Sequence, residues 1–275
     1  MQAQHRPLAA EPTENQAARL PHAAWFQPVS AKPSASPAIE VSWARHQDEV
    51  REAQRLRFNV FQTEMGARLN TPLAGHDIDL FDDYCEHLLV RHTTTREVIG
   101  TYRVLTPRQA QRVGSFYSDT EFDLTRLRGL RDDMVELGRS CVHAEHRQGG
   151  VILALWGALA GFMQHNGLSH MIGCASIPLN HGGEPGHAAA SIWRQVSARH
   201  MAPIDYHVRP RLPLPVERLD SSLAVEPPAL IRGYLRLGAK VLGPPAWDPD
   251  FNAADLPMMM RMADMPARYL RLGVV

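Results

Sequence analysis

The chain has 275 residues, 44% of them apolar and 21% charged, and Lys+Arg balances Asp+Glu at 29 each. That length supports one substantial core, while a net charge of zero lacks the basic excess of a general nucleic-acid binder. Three widely spaced cysteines (Cys85, Cys141, Cys174) form no C-x-x-C pair and read as reduced thiols of a cytoplasmic protein, and no apolar run of about 18 residues offers a transmembrane helix.

Residues 1–38 mix Pro, Ala, Gln and Ser and read as a flexible leader. Residues 39–275 read as a single domain with a C-terminal extension from about 178. "IEVSWAR" (39–45) predicts a strand with Val41 and Trp43 inward. Val50, Ala53, Leu56, Val60 and Phe61 fall near helical spacing within 47–66, and Gly66 is the expected stop. An acidic, aromatic loop, "GHDIDLFDDYC" (75–85), follows. "EHLLVRH" (86–92) and "EVIGTYRVLT" (97–106) predict an antiparallel hairpin. Ser118, three residues before Glu121, predicts a capping box on a short helix. "MVELGRSCVH" (134–143) predicts a strand, 149–166 an apolar helix ended by Asn166-Gly167, and "HMIGCAS" (170–176) the next strand. Further on, 188–200 and 227–238 read as helices and the Pro-rich 208–217 as extended. The Met-rich 257–265 reads as a core strand or an acyl-tunnel lining, and 266–272 as a short helix. Strands in hairpins, interleaved with few helices, give an α+β (mixed α/β) class.

The densest stretch is "ELGRSCVHAEHRQGGVILALW", residues 136–156. A strand runs through a turn and a Gly-Gly pair into an apolar helix. Unpaired amides at a helix N-terminus attract anions, and Arg147 adds a forked cation, so the junction suits a phosphodiester or pyrophosphate. Strict strand alternation puts Glu136 and Arg139 on opposite faces. If both serve one site, an irregularity within 138–142 must break the period, and Gly138 suits one.

"VHAEHRQGGVI" resembles the donor-binding segment of the GCN5-related N-acyltransferase superfamily, with Arg147-x-x-Gly150 matching and Ile152 standing where Gly or Ala is usual. "LRFNVFQTEMGA", "DIDLFDDYCEHLLV", "VIGTYRVL", "VELGRSCVH" and "PPALIRGYLRLGAKV" together resemble the ornithine-lipid N-acyltransferases, also labelled hemolysin-like acyltransferases. Scattered positions are similar to acyl-homoserine-lactone synthases: Arg57, Phe61, Asp79-x-x-Asp82, Arg103 and Glu136-x-x-Arg139. The resemblance implies the superfamily fold, a central mixed, mostly antiparallel sheet flanked by helices. It implies transfer of a 3-hydroxyacyl chain from acyl carrier protein to the α-amino group of ornithine, giving lyso-ornithine lipid. No bound cofactor or metal is implied; the donor's 4′-phosphopantetheine arm would carry the acyl group, acyl-coenzyme A being the alternative. A coenzyme A-dependent N-acetyltransferase of small amines, an autoinducer synthase and a non-catalytic lipid- or acyl-carrier-binding module are the competing readings.

On this resemblance Glu136, Arg139, Ser140 and Cys141 form the catalytic group. Arg57, Phe61, Asp79, Asp82 and Arg103 bind the acceptor, and Val142, His143, Arg147, Gly149 and Gly150 hold the donor. Glu136 is a general base, direct or through water, or else pairs with Arg139 or Arg103. Asp79 and Asp82 take the ammonium groups of ornithine or are a solvated loop. Arg103 meets a substrate carboxylate or an aspartate, because buried alone it would be costly. Cys141, two residues from His143, invites an acyl-enzyme, but a small buried thiol is the better reading. His200-x4-Asp205 matches an O-acyltransferase pattern by coincidence. Arg232, Arg236, Lys240, Arg261, Arg268 and Arg271 offer a basic face toward acyl carrier protein or the inner face of an anionic membrane, where peripheral contact is expected.

Overall fold

A computed structural model describes residues 39–147 and 150–267. The expected leader, Gly149 and most of the expected final helix lie outside the described residues.

Strand β1 (Ile39–Trp43) leads into helix α1 (Gln47–Phe58), which a π-helical turn, Asn59–Glu64, continues to Gly66 at φ 76°. Strands β2 (Glu86–His92) and β3 (Val98–Leu105) form the expected hairpin. Helix α2 (Pro107–Val113) was not foreseen, although Thr106, Pro107 and Gln109 give it a complete capping box. Helix α3 (Ser118–Glu121), β4 (Phe122–Asp123), β5 (Met134–Val142), helix α4 (Val151–His165) and β6 (His170–Pro178) follow. The capping box expected on α3 does not form: Tyr117 occupies the cap position and Glu121 reaches no backbone amide. Then come α5 (His187–His200), β7 (Arg209–Pro210), α6 (Ala229–Arg236), β8 (Lys240–Val241), β9 (Ala246–Asp248) and β10 (Ala253–Arg261).

Eight strands make the main sheet in the order β1-β2-β3-β5-β6-β10-β8, with β9 pairing β10, while β4 and β7 pair separately. Among the described strands every ladder is antiparallel except that of β5 with β6. Residues after 178 return to the sheet, because β10 pairs with the whole of β6, from Ala253↔Pro178 to Arg261↔His170. The methionines of β10 are core: Met258 and Met260 pack on one face of the sheet and Met259 on the other. β1 is an edge strand whose Val41 is exposed, against expectation. Trp43 does pack inward, its ring centroid 4.8 Å from that of Phe162.

Two features position the site. The parallel pairing of β5 with β6 is confined to Met134–Glu136 against His170–Ile172; beyond that the strands part. On its other edge β5 bulges. Thr101 pairs with Cys141 but Arg103 with Gly138, so Arg139 and Ser140 both stand opposite Tyr102. Arg139 carries the strain at φ 49°, rather than Gly138.

Gly173 sits where the strands begin to part, and a Cβ there would stand 2.4 Å from the Leu137 carbonyl oxygen. Because that neighbour is backbone, Gly173→Ala must wedge β5 from β6. We expect a loss of about 1–3 kcal/mol in denaturant titration; an unchanged midpoint would refute this close approach.

Candidate active site

The gap between β5 and β6 opens into a cavity of about 470 Å³, within the usual range for a small-molecule site. Its two sides differ. On the side covered by α4 and α6 the lining is Tyr102, Leu137, Ile152, Trp156, Ala175 and Tyr234. On the opposite side stand Arg103, Glu136, Arg139, Tyr117, Asp248 and Asp255. A smaller space of about 50 Å³ shares Leu137, Ala175 and Tyr234 with the apolar side and reaches Met258 and Met260.

Beneath the polar side, three arginines meet three aspartates. Arg57, fully buried on α1, donates to Asp77 Oδ2 at 2.8 Å and to both Asp82 oxygens at 3.0 and 2.8 Å. Arg103 donates to Asp79 at 2.6 Å and to Asp82 at 3.1 Å. Arg139 donates to Asp77 at 3.1 Å and to Asp79 at 3.0 Å. Burial alone would raise Asp82, but Arg57 and Arg103 hold its pKa well below the usual carboxylate range. The same opposition, with Arg103 and Arg139 prevailing, lowers Asp79. Arg103 thus meets aspartates, as one reading had it. Asp79 and Asp82 are neither a solvated loop nor open to an amine, because their oxygens are taken by arginines, Gln54 and backbone amides. Asp77, which sequence reasoning missed, is buried and bridges Arg57 to Arg139.

The bulge swings the Arg139 guanidinium between the rings of Tyr117 and Phe251, 5.0 and 4.8 Å from their centroids. Burial and the nearby Arg103 oppose its charge, yet Asp77, Tyr117 and Asp79 keep its pKa above the ordinary value. Its Nε and Nη2 are spent on the aspartates.

Glu136 lines the cavity but pairs with neither Arg139 nor Arg103. It accepts the Tyr117 amide at 2.5 Å, the Ser118 amide at 2.7 Å and the Ser118 hydroxyl. Burial raises its pKa, against the pull of those hydrogen bonds. Ser140 lines the cavity beside the Tyr102 hydroxyl, which also meets that of Tyr234. Cys141 lines the cavity and also packs against α1, and burial pushes its thiol up to about 12, which favours the small buried thiol over an acyl-enzyme. His143 accepts the Glu145 amide at 3.4 Å and has no bond to Cys141.

At the donor end, Val142 and Arg147 line the cavity mouth, and α4 starts at Gly150 without a side-chain cap. Arg147 is tied to the Val142 carbonyl at 3.0 Å and to Glu64 at 2.5 Å. Phe61 lines the cavity, while Arg57 supports it from below. Of the expected basic face, Arg261 is paired with Asp264, Arg232 donates to the Pro227 carbonyl, and Arg268 and Arg271 lie outside the described residues.

A parallel strand pair that parts beside a bulge, with a cavity through the gap, places the chain in a class of acyl-transferring enzymes. The acetyltransferase (GNAT) domain family matches residues 56–157. The acyl-homoserine lactone synthases BjaI and MesI, both described as CoA-dependent, share the fold at TM-scores of 0.50. Identity is 18% for BjaI over 83% of each chain, and 11% for MesI over 86% of this chain and 96% of that one. The L-ornithine N(alpha)-acyltransferases of Brucella abortus and Rhodobacter capsulatus are each 34% identical to it. They cover 85% and 84% of this chain and 88% and 93% of their own lengths. The corresponding protein of Rhizobium meliloti is 35% identical over 84% of this chain and 83% of its own. The chain belongs to the L-ornithine N(alpha)-acyltransferase family.

Proposed function

We propose that the chain transfers a 3-hydroxyacyl group from the phosphopantetheine thioester of acyl carrier protein to the α-amino group of ornithine, giving lyso-ornithine lipid. The observation that carries this is the two-sided cavity: an apolar side continuing toward Met258 and Met260, and a charged side, meeting at the β5 bulge. The donor arm enters between α4 and the parted strands, past Val142, Arg147 and the uncapped first turn of α4. Its acyl tail lies along Leu137 and Ala175. The neutral α-amine attacks the thioester carbonyl, a C–N bond forms, the C–S bond breaks, and the thiol leaves. The bulge turns strand amides out of the ladder toward the developing oxyanion. Arg139 receives the substrate carboxylate, because its remaining Nη1 has no partner among the described residues and the side chain faces the cavity.

Glu136 takes the proton released by the amine, through water. A carboxylate offers about four acceptor sites and three are filled. We expect Glu136→Gln to lower kcat by about 100-fold with little change in donor KM; unchanged turnover would discard this role. The whole reading is tested by giving purified protein ornithine with 3-hydroxyacyl-acyl carrier protein or with acetyl-coenzyme A. Mass spectrometry should find an N-acylated ornithine with the first donor, and turnover with acetyl-coenzyme A alone rejects the carrier-protein reading. Among the described residues no helix is long and apolar enough to cross a membrane.

A further inference from the structure

The reaction accounts for Glu136 and the arginine–aspartate cluster but leaves a second group of acids unused. Asp255 on β10 is buried at 3% exposure, lines the cavity, and its Oδ1 has no hydrogen-bond partner. Behind it, the carboxyl group of Glu121 is buried and meets no basic group, its neighbours being the Asp255 carboxyl and the Tyr117 hydroxyl. Carboxyl oxygens of the two lie within 4.8 Å of each other and of the Cys174 sulfur. Asp248 lines the same wall, with Oδ1 capping the Asp250 and Phe251 amides at 2.9 and 3.0 Å. Among the described residues no arginine or lysine is paired with Glu121, Asp248 or Asp255; the nearby Arg139 is engaged with Asp77 and Asp79. Buried carboxyls with no ion-pair partner are costly to ionise, so they hold protons until a cation replaces them.

Resting on the acceptor reading above, we propose that Asp255, backed by Glu121, binds the side-chain ammonium of the amino-acid acceptor and makes the enzyme selective for a diamino acid. Three observations favour the side-chain amine over the α-amine. The α-amine must shed its proton to attack, and a tight carboxylate pair would oppose that. The side-chain amine stays charged throughout. The span also fits. Asp255 stands opposite Ser176, about 5 Å from β6 at ordinary strand spacing, and faces the gap where β6 has parted from the bulged β5. The acceptor must therefore bridge more than the roughly 10 Å of two strand spacings, less the reach of the Asp255 side chain. Five bonds separate the two nitrogens of ornithine, roughly 6 Å when extended, and an ammonium–carboxylate contact adds roughly 3 Å. A metal ion is a poorer occupant, because Cys174 is held as a thiol by burial and the nearby acids and lies 3.5 Å from the Ser118 hydroxyl.

The test compares L-ornithine with L-norvaline, which lacks the side-chain amine, as acceptors for the full chain. The wild type should prefer ornithine, and the ratio of kcat/KM for the two should fall by about 100-fold in Asp255→Asn and also fall in Glu121→Gln. Folded variants that keep the wild-type ratio, or that lose both acceptors equally, overturn the proposal. A readout on the wild type needs neither variants nor donor. Calorimetry at pH 7.5 in buffers of different ionisation enthalpy should show ornithine binding releasing more protons than norvaline binding, as its ammonium displaces protons held by the acids. Equal proton release for the two overturns it. Loss of the ornithine preference on treatment with EDTA, restored by Zn²⁺, would assign the cluster to a metal instead. Failure of the wild type to acylate any amino acid would reject the reaction while the calorimetry still judged this site.

Discussion

Replacing Arg57 by leucine should cost about 3–5 kcal/mol of stability and, with it, the fold around the site. The side chain is fully buried and donates to Asp77 and to both oxygens of Asp82, which are themselves about as buried. Leucine approximates its apolar stem but leaves two carboxylates in the interior, with only Arg139 and Arg103 to answer them. Asp82, whose pKa is held low in the folded protein, then has less to offset its desolvation. Its present contribution exists above the ordinary carboxylate pKa and is lost as pH falls through the lowered one. The variant's deficit should therefore be largest near neutrality and shrink in acid. Urea titration at pH 7 and at about pH 2.5, below the ordinary carboxylate pKa, measures both; a deficit under about 1 kcal/mol at pH 7 would show that Arg57 is not the keystone of this cluster.

The second large effect has the opposite sign. Asp255→Asn should stabilise the ligand-free protein at pH 8 while impairing its chemistry. Burial first, then Asp248, lifts the Asp255 carboxyl from 3.8 to about 6, and burial and Asp255 raise Glu121 as well. A carboxyl with a raised folded-state pKa favours folding in acid, and that advantage is lost as pH climbs through the raised value. A rise from 3.8 to about 6 corresponds to about 3 kcal/mol. Asparagine imitates the protonated acid, so the variant should gain up to about that amount at pH 8 and nothing near pH 4. Thermal unfolding at the two pH values decides; a midpoint below wild type at pH 8 would show that this wall is held together by Asp255 rather than strained by it. Better stability with poorer activity is what a binding site built of uncompensated charge should give.

Much of this frame could be read from the chain. The hairpin of β2 and β3, strand β5 and helix α4 follow from runs whose burial matches their periodicity, and the break predicted within 138–142 appears at Arg139. Helix α2 was legible too, because Thr106-Pro107 with Gln109 is a helix start. Strands β8 and β9 were not, since two or three residues carry no period. The partners of charges were the least legible. Arg57 lies on the face of α1 that carries Ala53 and Leu56, which signals a buried cation, but nothing local says that a loop 20 residues on will neutralise it. Glu121 resembled a capping residue, and Asp255 was one acid in an apolar strand; only the sheet register brings them together.

The parted strands also bear on turnover. On the proposed reaction, head and tail arrive on opposite sides of the sheet and become one molecule there. The amide product is then threaded through the slot between β5 and β6, and it must leave lengthwise, one end drawn through the opening that admitted the other. An amphiphile leaving in that manner needs somewhere for its tail to go, so the pace of the catalytic cycle is tied to whatever surface accepts the hydrocarbon at the mouth.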